Sequence, residues 1–364
     1  MMPCLFQFKL LLPLLACGLV ACSQGDEADP GKQHVPEQRH TGGPADDAAI
    51  EASGQQGSGD AIIFRGICDG SAVVNFGGDT ILVANDELNT LFAFAKSGGM
   101  PSARADLAAL LHLETRDEID IEAATVSGER IWWLGSHGLD SSGKDTPNRR
   151  LLFATNVPSQ DLGDLQLVAG PVDLTDILLS SAEVAQVLTA TARKRPPKEG
   201  GISIEGLAAS THGGLLLGFR SPLSDADGMS GKALLVNISP KGDTFEVERV
   251  RLLDLGDRGV REIVNDGSGY LIIAGHVASG GKFALYAWSG DAPPSQQTMS
   301  LKGLNAEGLV DLDSHWLVLS DDGKVKREDD EADDGKQRCD RIGKKNRLGE
   351  AHPSVFFRAR MIPK

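Results

Sequence analysis

The sequence lacks the short motifs that mark several common enzyme classes. It contains no Gly-X-Ser-X-Gly elbow, no His-Glu-X-X-His helix and no Cys-X-X-Cys pair, so nothing points to a serine hydrolase, a zinc protease or a thiol oxidoreductase. Residues 138–144 have the spacing of a phosphate-binding loop, but Asp145 replaces the expected Ser or Thr and Pro147 follows in place of a helix. We therefore predict no nucleotide site there.

Basic residues are too few to balance the acidic ones. The chain has 36 Lys and Arg against 51 Asp and Glu, a formal net charge of −15 at pH 7. A surface of this sign repels nucleic acids and anionic lipids and attracts cations or cationic faces. The composition therefore argues against a nucleic-acid partner.

The N-terminus carries a short apolar stretch. Lys9 precedes Leu10–Leu15, and Leu19–Cys22 follows. This stretch is too short to span a membrane and has the form of a secretion signal. Its end resembles the bacterial lipoprotein signal, which makes Cys22 the expected lipidated residue and Cys17 the lesser candidate.

The expected layout is a lipoprotein signal peptide over 1–21, a disordered tether over 22–60 and one folded domain over 61–364. The tether is rich in Gly, Pro, Gln, Asp and Glu, and it has too few large apolar residues to fold. Ser23 is not the aspartate that retains lipoproteins in the inner membrane. We therefore expect a protein of the bacterial cell envelope, lipid-anchored at the outer membrane and facing the periplasm.

Cysteine is scarce, with five residues in the whole chain. Only Cys22, Cys68 and Cys339 would survive signal processing. With Cys22 lipidated in an oxidising compartment, Cys68 and Cys339 are the candidate disulfide, and the alternative is two separate buried thiols.

Five segments repeat one design, a β-hairpin with a polar or charged residue at each open end. The two end residues are 15 positions apart in every case, and a turn signal falls midway. With an even number of residues between them, the two side chains should lie opposite each other on one face. The five pairs are Ser71/Asp86, Glu122/His137, Glu205/Arg220, Arg261/His276 and Glu307/Asp322.

Further strand-like runs follow each hairpin and indicate an all-β fold. We predict a β-propeller of five four-stranded blades over residues 61–364, with six blades as the alternative. The last blade has one further run, Val355–Met361, and Ala61–Arg65 would supply its missing strand and close the ring. The outermost strands of the first and fourth blades are predicted at Leu107–Leu113 and Thr298–Leu301.

Two segments between the strand runs are not expected to form blade strands. A helical insertion is predicted near 173–193, capped by Asp173, with apolar residues at helical spacing that should pack on the propeller. The charged run 327–334 is expected to be a solvated loop.

The long connections all fall on the face where the innermost strands begin, around the central channel. The hairpin ends and the acids beside them would form a ring of charge there. The candidate members are Asp69, Ser71, Asp86, Glu87, Asp120, Glu122, His137, Glu205, Arg220, Arg261, His276, Glu307, Asp321 and Asp322. The alternative is that the pairs are ordinary structural ion pairs and loop anchors.

Two kinds of ligand suit such a ring. Clustered carboxylates favour Ca²⁺ or Mg²⁺, and the candidate ligands are Asp120, Glu122, Glu307 and Asp321. Arg forks match phosphate or carboxylate groups, and the cations expected to hold an anionic group are Lys144, Arg149, Arg150, Arg220 and Arg261. The further binding candidates are Asp69, Ser71, Asp86, His276 and Asp322.

Six short blocks resemble a bacterial family known as domain-of-unknown-function family 3616, over about Phe64–Gly323. They are Cys68-Asp69-Gly70-Ser71, Glu118-Ile119-Asp120-Ile121-Glu122-Ala123, Gly135-Ser136-His137-Gly138, Ile204-Glu205-Gly206-Leu207, Gly218-Phe219-Arg220-Ser221-Pro222 and Ser320-Asp321-Asp322-Gly323. More distantly, the sequence is similar to the esterase-like phytase propellers. That likeness implies a calcium-assisted phosphoester hydrolase.

Two functions are therefore carried forward. In the first and favoured one, the channel face of an envelope-anchored lipoprotein binds a small anionic ligand or an envelope partner without chemistry. In the second, bound calcium polarises a phosphoryl oxygen or activates water, Arg220 and Arg261 hold the anion and His137 carries the proton. Glu122 and Glu205 complete the candidate catalytic set.

Overall fold

The computed structural model describes residues 61–364, except 86, 114–117, 160–161, 192, 197–198, 279, 330–331 and 346–353. The predicted signal peptide and tether, Cys22 and Asp86 lie outside the described residues. Within the described part, no helix is both long and apolar enough to cross a membrane.

The described strands form five four-stranded antiparallel sheets, which are the blades of a β-propeller, and one small two-stranded sheet. The chain begins with β1 (Ile62–Arg65). Blade 1 consists of β2 (Ala72–Asn75), β3 (Thr80–Ala84), β4 (Thr90–Ala95) and β5 (Ala103–Asp106). Blade 2 consists of β6 (Ile121–Ser127), β7 (Arg130–Gly135), β8 (Leu151–Asn156) and β9 (Leu167–Asp173).

The remaining three blades follow in chain order. Blade 3 consists of β10 (Ser203–Ala209), β11 (Leu215–Leu223), β12 (Ala233–Lys241) and β13 (Thr244–Leu253). Blade 4 consists of β14 (Gly259–Asn265), β15 (Tyr270–Gly275), β16 (Ala284–Trp288) and β17 (Ser295–Gln296). Blade 5 contains β18 (Ala306–Asp311) and β19 (His315–Ser320), then an insertion with the hairpin β20 (Lys326–Glu328) and β21 (Lys336–Arg338), and finally β22 (Phe356–Pro363).

The two ends of the domain share blade 5, as the sequence predicts. The strand order of this blade is β1-β22-β19-β18, and β1 pairs antiparallel with β22 from Ile62↔Ala359 to Arg65↔Phe356. Phe64 stacks on Phe357 with 5.0 Å between ring centroids and meets Phe94 of blade 1 edge-on at 5.4 Å. The closing strand thus also contributes to packing between the last blade and the first.

Each interface between neighbouring blades has its own apolar core. The five largest clusters of buried residues lie between blades 1 and 2, 2 and 3, 3 and 4, 4 and 5, and 5 and 1. A middle strand contacts a neighbouring blade on each of its faces. This explains why strands such as Tyr270–Gly275 are apolar almost throughout and buried along their whole length.

The innermost strands are β2, β6, β10, β14 and β18, and each contacts the next around the ring. We call the end at which these strands begin the top face. The four longest connections between strands of the blades, between β5 and β6, β7 and β8, β9 and β10, and β19 and β22, lie at this end. They surround the mouth of the central channel.

Four short helices interrupt the β fold, namely α1 (Leu107–Leu110), α2 (Thr175–Leu179), α3 (Ala182–Leu188) and α4 (Cys339–Lys345). The predicted single helix over 174–193 is wrong in detail. Ser181 has extended backbone between α2 and α3, and its hydroxyl accepts a hydrogen bond from Val184 N. The apolar residues of both helices do pack on the propeller, between blades 2 and 3.

Two outermost strands also differ from the prediction. Residues 107–113 are not a strand, because the Asp106 carboxylate caps α1 by accepting from Ala108 N at 2.9 Å, and β5 lies just before it. In blade 4, β17 is Ser295–Gln296, directly after Pro293 and Pro294, instead of Thr298–Leu301. Leu301 packs into the core between blades 4 and 5.

Cys68 and Cys339 are joined by a disulfide with 5.7 Å between their Cα atoms. Both residues are buried in a small cluster with Ile342 and Val355. The bond ties the insertion of blade 5 to the segment that enters blade 1.

Candidate functional site

The first strand of blades 2 to 5 carries a β-bulge at the same place. At each bulge the register shifts by one residue, and the extra residues are Glu122, Glu205, Arg261 and Glu307. These are the four first-strand residues that the 15-residue spacing picks out. The expected direct opposition of these four pairs is therefore wrong, because the bulge displaces the charged residue from the ladder and bends the strand there.

Glu205 is the centre of the resulting network. One oxygen lies 2.8 Å from Arg220 Nη1 and accepts from Ser203 Oγ at 3.0 Å. The other lies 2.9 Å from Arg261 Nε, although the Nε–H does not point at it with hydrogen-bond geometry. The Glu205 side chain is 3% exposed, so this carboxylate is held by two guanidinium groups out of contact with bulk water.

Arg261 connects blade 3 with blade 5. Its Nη2 contacts Glu307 Oε1, and its guanidinium carbon lies 5.8 Å from the centre of the Phe283 ring. Burial lowers the pKa of Arg261 to about 10, partly offset by Glu205, Glu122 and Asp321 nearby. The group therefore stays charged at neutral pH.

Asn305 and Asp321 extend the network on the side of blade 5. Asn305 Nδ2 donates to Asp321 Oδ2 at 2.8 Å and lies 3.4 Å from Glu307 Oε1. Asp321 Oδ1 accepts from Gly323 N at 2.8 Å. Glu122 of blade 2 also acts on Arg261 through its field. We call these six ionisable residues the channel-mouth cluster, namely Glu122, Glu205, Arg220, Arg261, Glu307 and Asp321.

A second charged group lies beside the channel-mouth cluster in blade 2. The buried Arg149 places Nη1 2.6 Å from Asp120 Oδ2 and Nη2 2.6 Å from Glu118 Oε2. Burial raises the pKa of Asp120 to about 6, although Arg149 opposes that change. The field of Glu205 also acts on Asp120, so the two groups are within electrostatic range.

His137 is buried at the end of the same hairpin. Its Nδ1 lies 2.8 Å from Gly135 O, and its Nε2 has no hydrogen-bond partner among the described residues. Burial lowers the pKa of His137 to about 4, so the ring is neutral at pH 7. Asp120 and His137 both have positive φ, 56° and 60°, a backbone conformation that costs free energy and that clusters at functional sites.

Glu262, the residue after Arg261, is a buried acid that the sequence analysis missed. It is fully buried, Oε1 accepts from Ile263 N at 2.9 Å, and Oε2 has no partner within the described chain. Burial raises the pKa of this carboxyl well above its usual range. The sequence of β14 (Gly259–Asn265) does not indicate that an acidic residue in it will be buried.

Two residues just before blade 1 make structural contacts. Ser71 Oγ donates to Ile121 O of blade 2 at 2.6 Å, and Asp69 O accepts from Asn85 Nδ2 at 2.9 Å. Both residues are buried. Ser71 therefore links neighbouring blades, whereas its predicted partner Asp86 lies outside the described residues.

Asp322 is neutralised within the fold. The fully buried carboxylate lies 2.7 Å from Arg358 Nε and 2.9 Å from Arg327 Nη2, and accepts from Ser320 Oγ at 2.9 Å. Arg327 also lies over the Phe356 ring at 3.9 Å. The prediction of a solvated loop is therefore wrong at Arg327, which is in β20 and mostly buried.

Two predicted binding residues lie at exposed positions. His276 follows β15 directly and is exposed, whereas its predicted partner Arg261 is buried. Lys144 is exposed in a tight turn in which Asp140 Oδ1 accepts from its backbone N at 2.8 Å. The geometry of the described atoms gives neither side chain a place in the channel-mouth cluster.

Arginines contact two of the four predicted calcium ligands. Asp120 is paired with Arg149, and Glu307 is paired with Arg261. Within the part of the chain that the structure describes, no three His, Cys, Asp or Glu side chains converge as metal ligands.

The channel-mouth cluster instead has an excess of carboxylate. It contains four acids and two guanidinium groups, which leaves two formal negative charges. Glu122, Arg220, Glu307 and Asp321 are half-buried, whereas Glu205 and Arg261 are buried.

Fold and site define a five-bladed β-propeller with a charged channel mouth. A family model described as "Protein of unknown function (DUF3616)" matches residues 69–150 and 154–332. The chain belongs to this family, and the resemblance of the six blocks is confirmed. No curated protein matches the chain.

Solved structures of similar fold include proteins of several functions. An oxidoreductase described as a glucose dehydrogenase from Thermus thermophilus has 12% identity and a TM-score of 0.40, over 83% of this chain and 100% of that one. A glutaminyl cyclase from Myxococcus xanthus has 10% identity and a TM-score of 0.39, over 84% and 95% of the two chains. At these values the matches carry no argument about function.

Proposed function

We propose that this protein is a binding propeller that holds a small polar ligand at the channel mouth of its top face. The observation that carries the proposal is the contact of Arg261 with both Glu205 and Glu307, which joins three blades through buried charges. Each of these residues occupies a β-bulge. Bulges of this kind re-aim side chains and are over-represented beside functional sites.

Fold stability alone does not account for such a network. Removing charges from water costs several kcal/mol per ion, and well-packed apolar residues of similar volume are often at least as stable. Five-bladed packing is already supplied by the apolar core between each pair of blades. The buried charges at the channel mouth therefore support a role in recognition.

The charges support a ligand with a cationic group. The sequence analysis predicts an anionic ligand held by Arg220 and Arg261, but both guanidinium groups already have carboxylate partners. An anion would have to displace Glu205 or Glu307. A ligand with an ammonium group would instead reduce the excess of carboxylate, and hydroxyl groups beside it would suit Asn305 and Asp321.

The calcium-assisted phosphoester hydrolase is less well supported. No three-ligand metal cluster is present among the described residues, and the pKa of about 4 for His137 is far from the value that suits a proton carrier at neutral pH. We therefore place the enzyme hypothesis below the binding hypothesis.

The anchor completes the proposal. A lipid on Cys22 would hold the propeller at the outer membrane, and residues 23–60 would let the top face reach ligands in the periplasm. Cys17 is the alternative attachment point. Both lie outside the described residues, and the sequence motif supports this part of the proposal.

Isothermal titration of the 61–364 domain with three probes tests the binding proposal. Putrescine serves as the cationic probe, glucose as the neutral one and citrate as the anionic one. We expect saturable binding of putrescine that weakens as salt is added, because the attraction is electrostatic. Tighter binding of citrate than of putrescine that is lost in Arg220→Gln would favour the anionic ligand at the channel mouth, and heat of dilution alone for all three would contradict a polar binding site.

A further inference from the structure

A cleft between blades 3 and 4 lies away from the channel mouth. It is lined by residues of β11, β12 and β13 on one side and by Tyr270, Trp288 and Gly290 on the other. Its enclosed space is roughly that of one water molecule, and the empty volume reaches about 260 Å³ only when the open mouth is counted. A ligand would therefore lie across the mouth of the cleft, with only a small group inside it.

The lengths of the outermost strands explain why the cleft is open. The outermost strand of blade 3, β13, has ten residues, whereas the outermost strand of blade 4, β17, has two. The face of β13 that is turned to blade 4 is therefore covered only in part. Arg249 and Arg251 lie on this face, and both line the cleft.

The walls of the cleft are held in place by blade 4. Tyr270 stacks on Trp288 with 5.2 Å between ring centroids. The Tyr270 hydroxyl oxygen accepts from Thr211 N at 2.8 Å, which fastens the β10–β11 turn to blade 4. His212, the next residue of that turn, is thereby positioned beside Arg249, whose Nη1 donates to His212 Nε2 at 3.1 Å.

The Asp291 carboxylate already occupies the position between the two arginines to which an anion would be attracted. Asp291 Oδ1 lies 3.4 Å from Arg249 Nη1, 3.7 Å from Arg251 Nη2 and 4.0 Å from His212 Nε2. These distances are long for charge-assisted hydrogen bonds, and the Asp291 side chain is 68% exposed. An exposed contact of this kind contributes little free energy, so a better-placed oxyanion can displace it.

Two further observations point to an external anion. The Trp288 indole N–H has no hydrogen-bond partner among the described residues, although the residue is 5% exposed and lines the cleft. Glu248, a neighbouring acid, accepts a hydrogen bond from Asn237 Nδ2 at 3.0 Å. Two arginines thus line the cleft beside a tryptophan with an unsatisfied donor, on a protein whose formal net charge is −15.

We infer that the cleft between blades 3 and 4 is a second binding site, which takes an oxyanion, a carboxylate or phosphate group, between Arg249 and Arg251. Asp291 acts as the internal competitor that an incoming ligand replaces. The site is separate from the channel mouth, and the inference stands whether or not the proposed function there is correct.

Titration of the full-length protein with inorganic phosphate and, separately, with succinate tests the inference. The readouts are titration calorimetry and the indole N–H resonance of Trp288 in ¹⁵N-labelled protein, assigned with Trp288→Phe. We expect saturable binding of at least one probe, with a shift of the Trp288 resonance. Tighter binding of phosphate than of succinate would indicate a phosphate site, and the reverse order would indicate a carboxylate site.

Three variants decide the assignment. Arg249→Gln combined with Arg251→Gln should weaken binding by about 10-fold or more, because charge-assisted contacts to the anion are lost. Asp291→Asn should strengthen it by about 3-fold to 5-fold, because the competing carboxylate is removed. Arg195→Gln, at a distant exposed pair with Glu199, is the matched control and should leave affinity unchanged.

The arginine and aspartate positions are partly exposed, so these variants should fold normally. Calorimetry alone decides the case if Trp288→Phe does not fold. The inference is overturned if neither probe binds up to about 10 mM, or if the double arginine variant binds as tightly as the control.

Discussion

Arg261 of blade 4 lies against Glu205 of blade 3, with 2.9 Å between Nε and Oε2 and with side chains 4% and 3% exposed. Both residues are the extra residue of a bulge in the innermost strand of their blade. The same local irregularity thus brings opposite charges from neighbouring blades into contact at the channel.

Loss of Arg261 should destabilise the propeller strongly. Arg261→Met removes the cation that contacts Glu205 and Glu307 and leaves buried carboxylate without its partner, which should lower the free energy of unfolding by about 3–5 kcal/mol. Urea unfolding followed by circular dichroism measures the change.

Arg195→Ala is the matched control for this change, because Arg195 and Glu199 form an exposed ion pair and are four positions apart in sequence. Its effect should be below about 0.5 kcal/mol. A change of less than about 1 kcal/mol for Arg261→Met would contradict the claim that Arg261 stabilises the carboxylates of Glu205 and Glu307.

Asp120 and His137 should give opposite contributions to the pH dependence of stability. The folded-state pKa of Asp120 is raised to about 6, so the folded state holds a proton that the unfolded state loses, and stability falls as pH rises from about 4 to 6. The folded-state pKa of His137 is lowered to about 4, so the unfolded state binds the extra proton and stability rises from about pH 4 to 6.5. Each shift corresponds to about 3 kcal/mol.

The two contributions should separate in single variants. Asp120→Asn should make stability rise more steeply between pH 4.5 and 6.5, and His137→Asn should make it fall over the same interval. Asn tolerates the positive φ of both positions, so the backbone is preserved. Urea midpoints at the two pH values provide the slopes, and slopes equal to that of the unaltered protein would show that neither group is perturbed.

The close packing of blades 3 and 4 depends on two glycines. A Cβ added at Gly218 would lie 2.6 Å from Val260 Cγ1, and one added at Gly206 would lie 2.7 Å from the same atom. Gly218→Ala should therefore lower stability by about 1–3 kcal/mol through overpacking. Combined with Val260→Ala, it should cost less than the sum of the two single changes, which a double-mutant cycle measures. Strict additivity would exclude the contact.

The sequence predicts much of the fold because its signals are local and repeated. Turn residues and apolar runs at regular spacing indicate five blades, and the apolar run at 61–65 indicates the closing strand, which β1 confirms. Residues 107–113 and 174–193 were mispredicted for a local reason, since caps at Asp106 and Ser181 start short helices there. Apolar spacing alone does not distinguish these alternatives.

Much less of the site could be predicted. The 15-residue spacing finds Glu205, Arg220, Arg261 and Glu307, but it does not show which charges will pair between blades. Arg358 pairs with Asp322 across 36 positions of sequence, and no local pattern marks such a contact. The calcium prediction did not anticipate that Arg149 would contact Asp120 and that Arg261 would contact Glu307.

The proposed anchor predicts where the protein is found in the cell. Unaltered protein should sediment with outer membranes, and Cys22→Ala should move it to the soluble periplasmic fraction, because the lipid is lost. Cys17→Ala is the matched control and should leave it in the membrane fraction. Membrane retention of the Cys22 variant together with release of the Cys17 variant would assign the lipid to Cys17 instead.

Titration of putrescine into channel-mouth variants tests the central claim most directly. Glu307→Gln and Asp321→Asn should each weaken binding by about 10-fold, because each removes a charged acceptor, whereas Asp243→Asn, at an exposed acid in the β12–β13 turn, should have no effect. Equal affinities for the unaltered protein and for both channel-mouth variants would contradict the account.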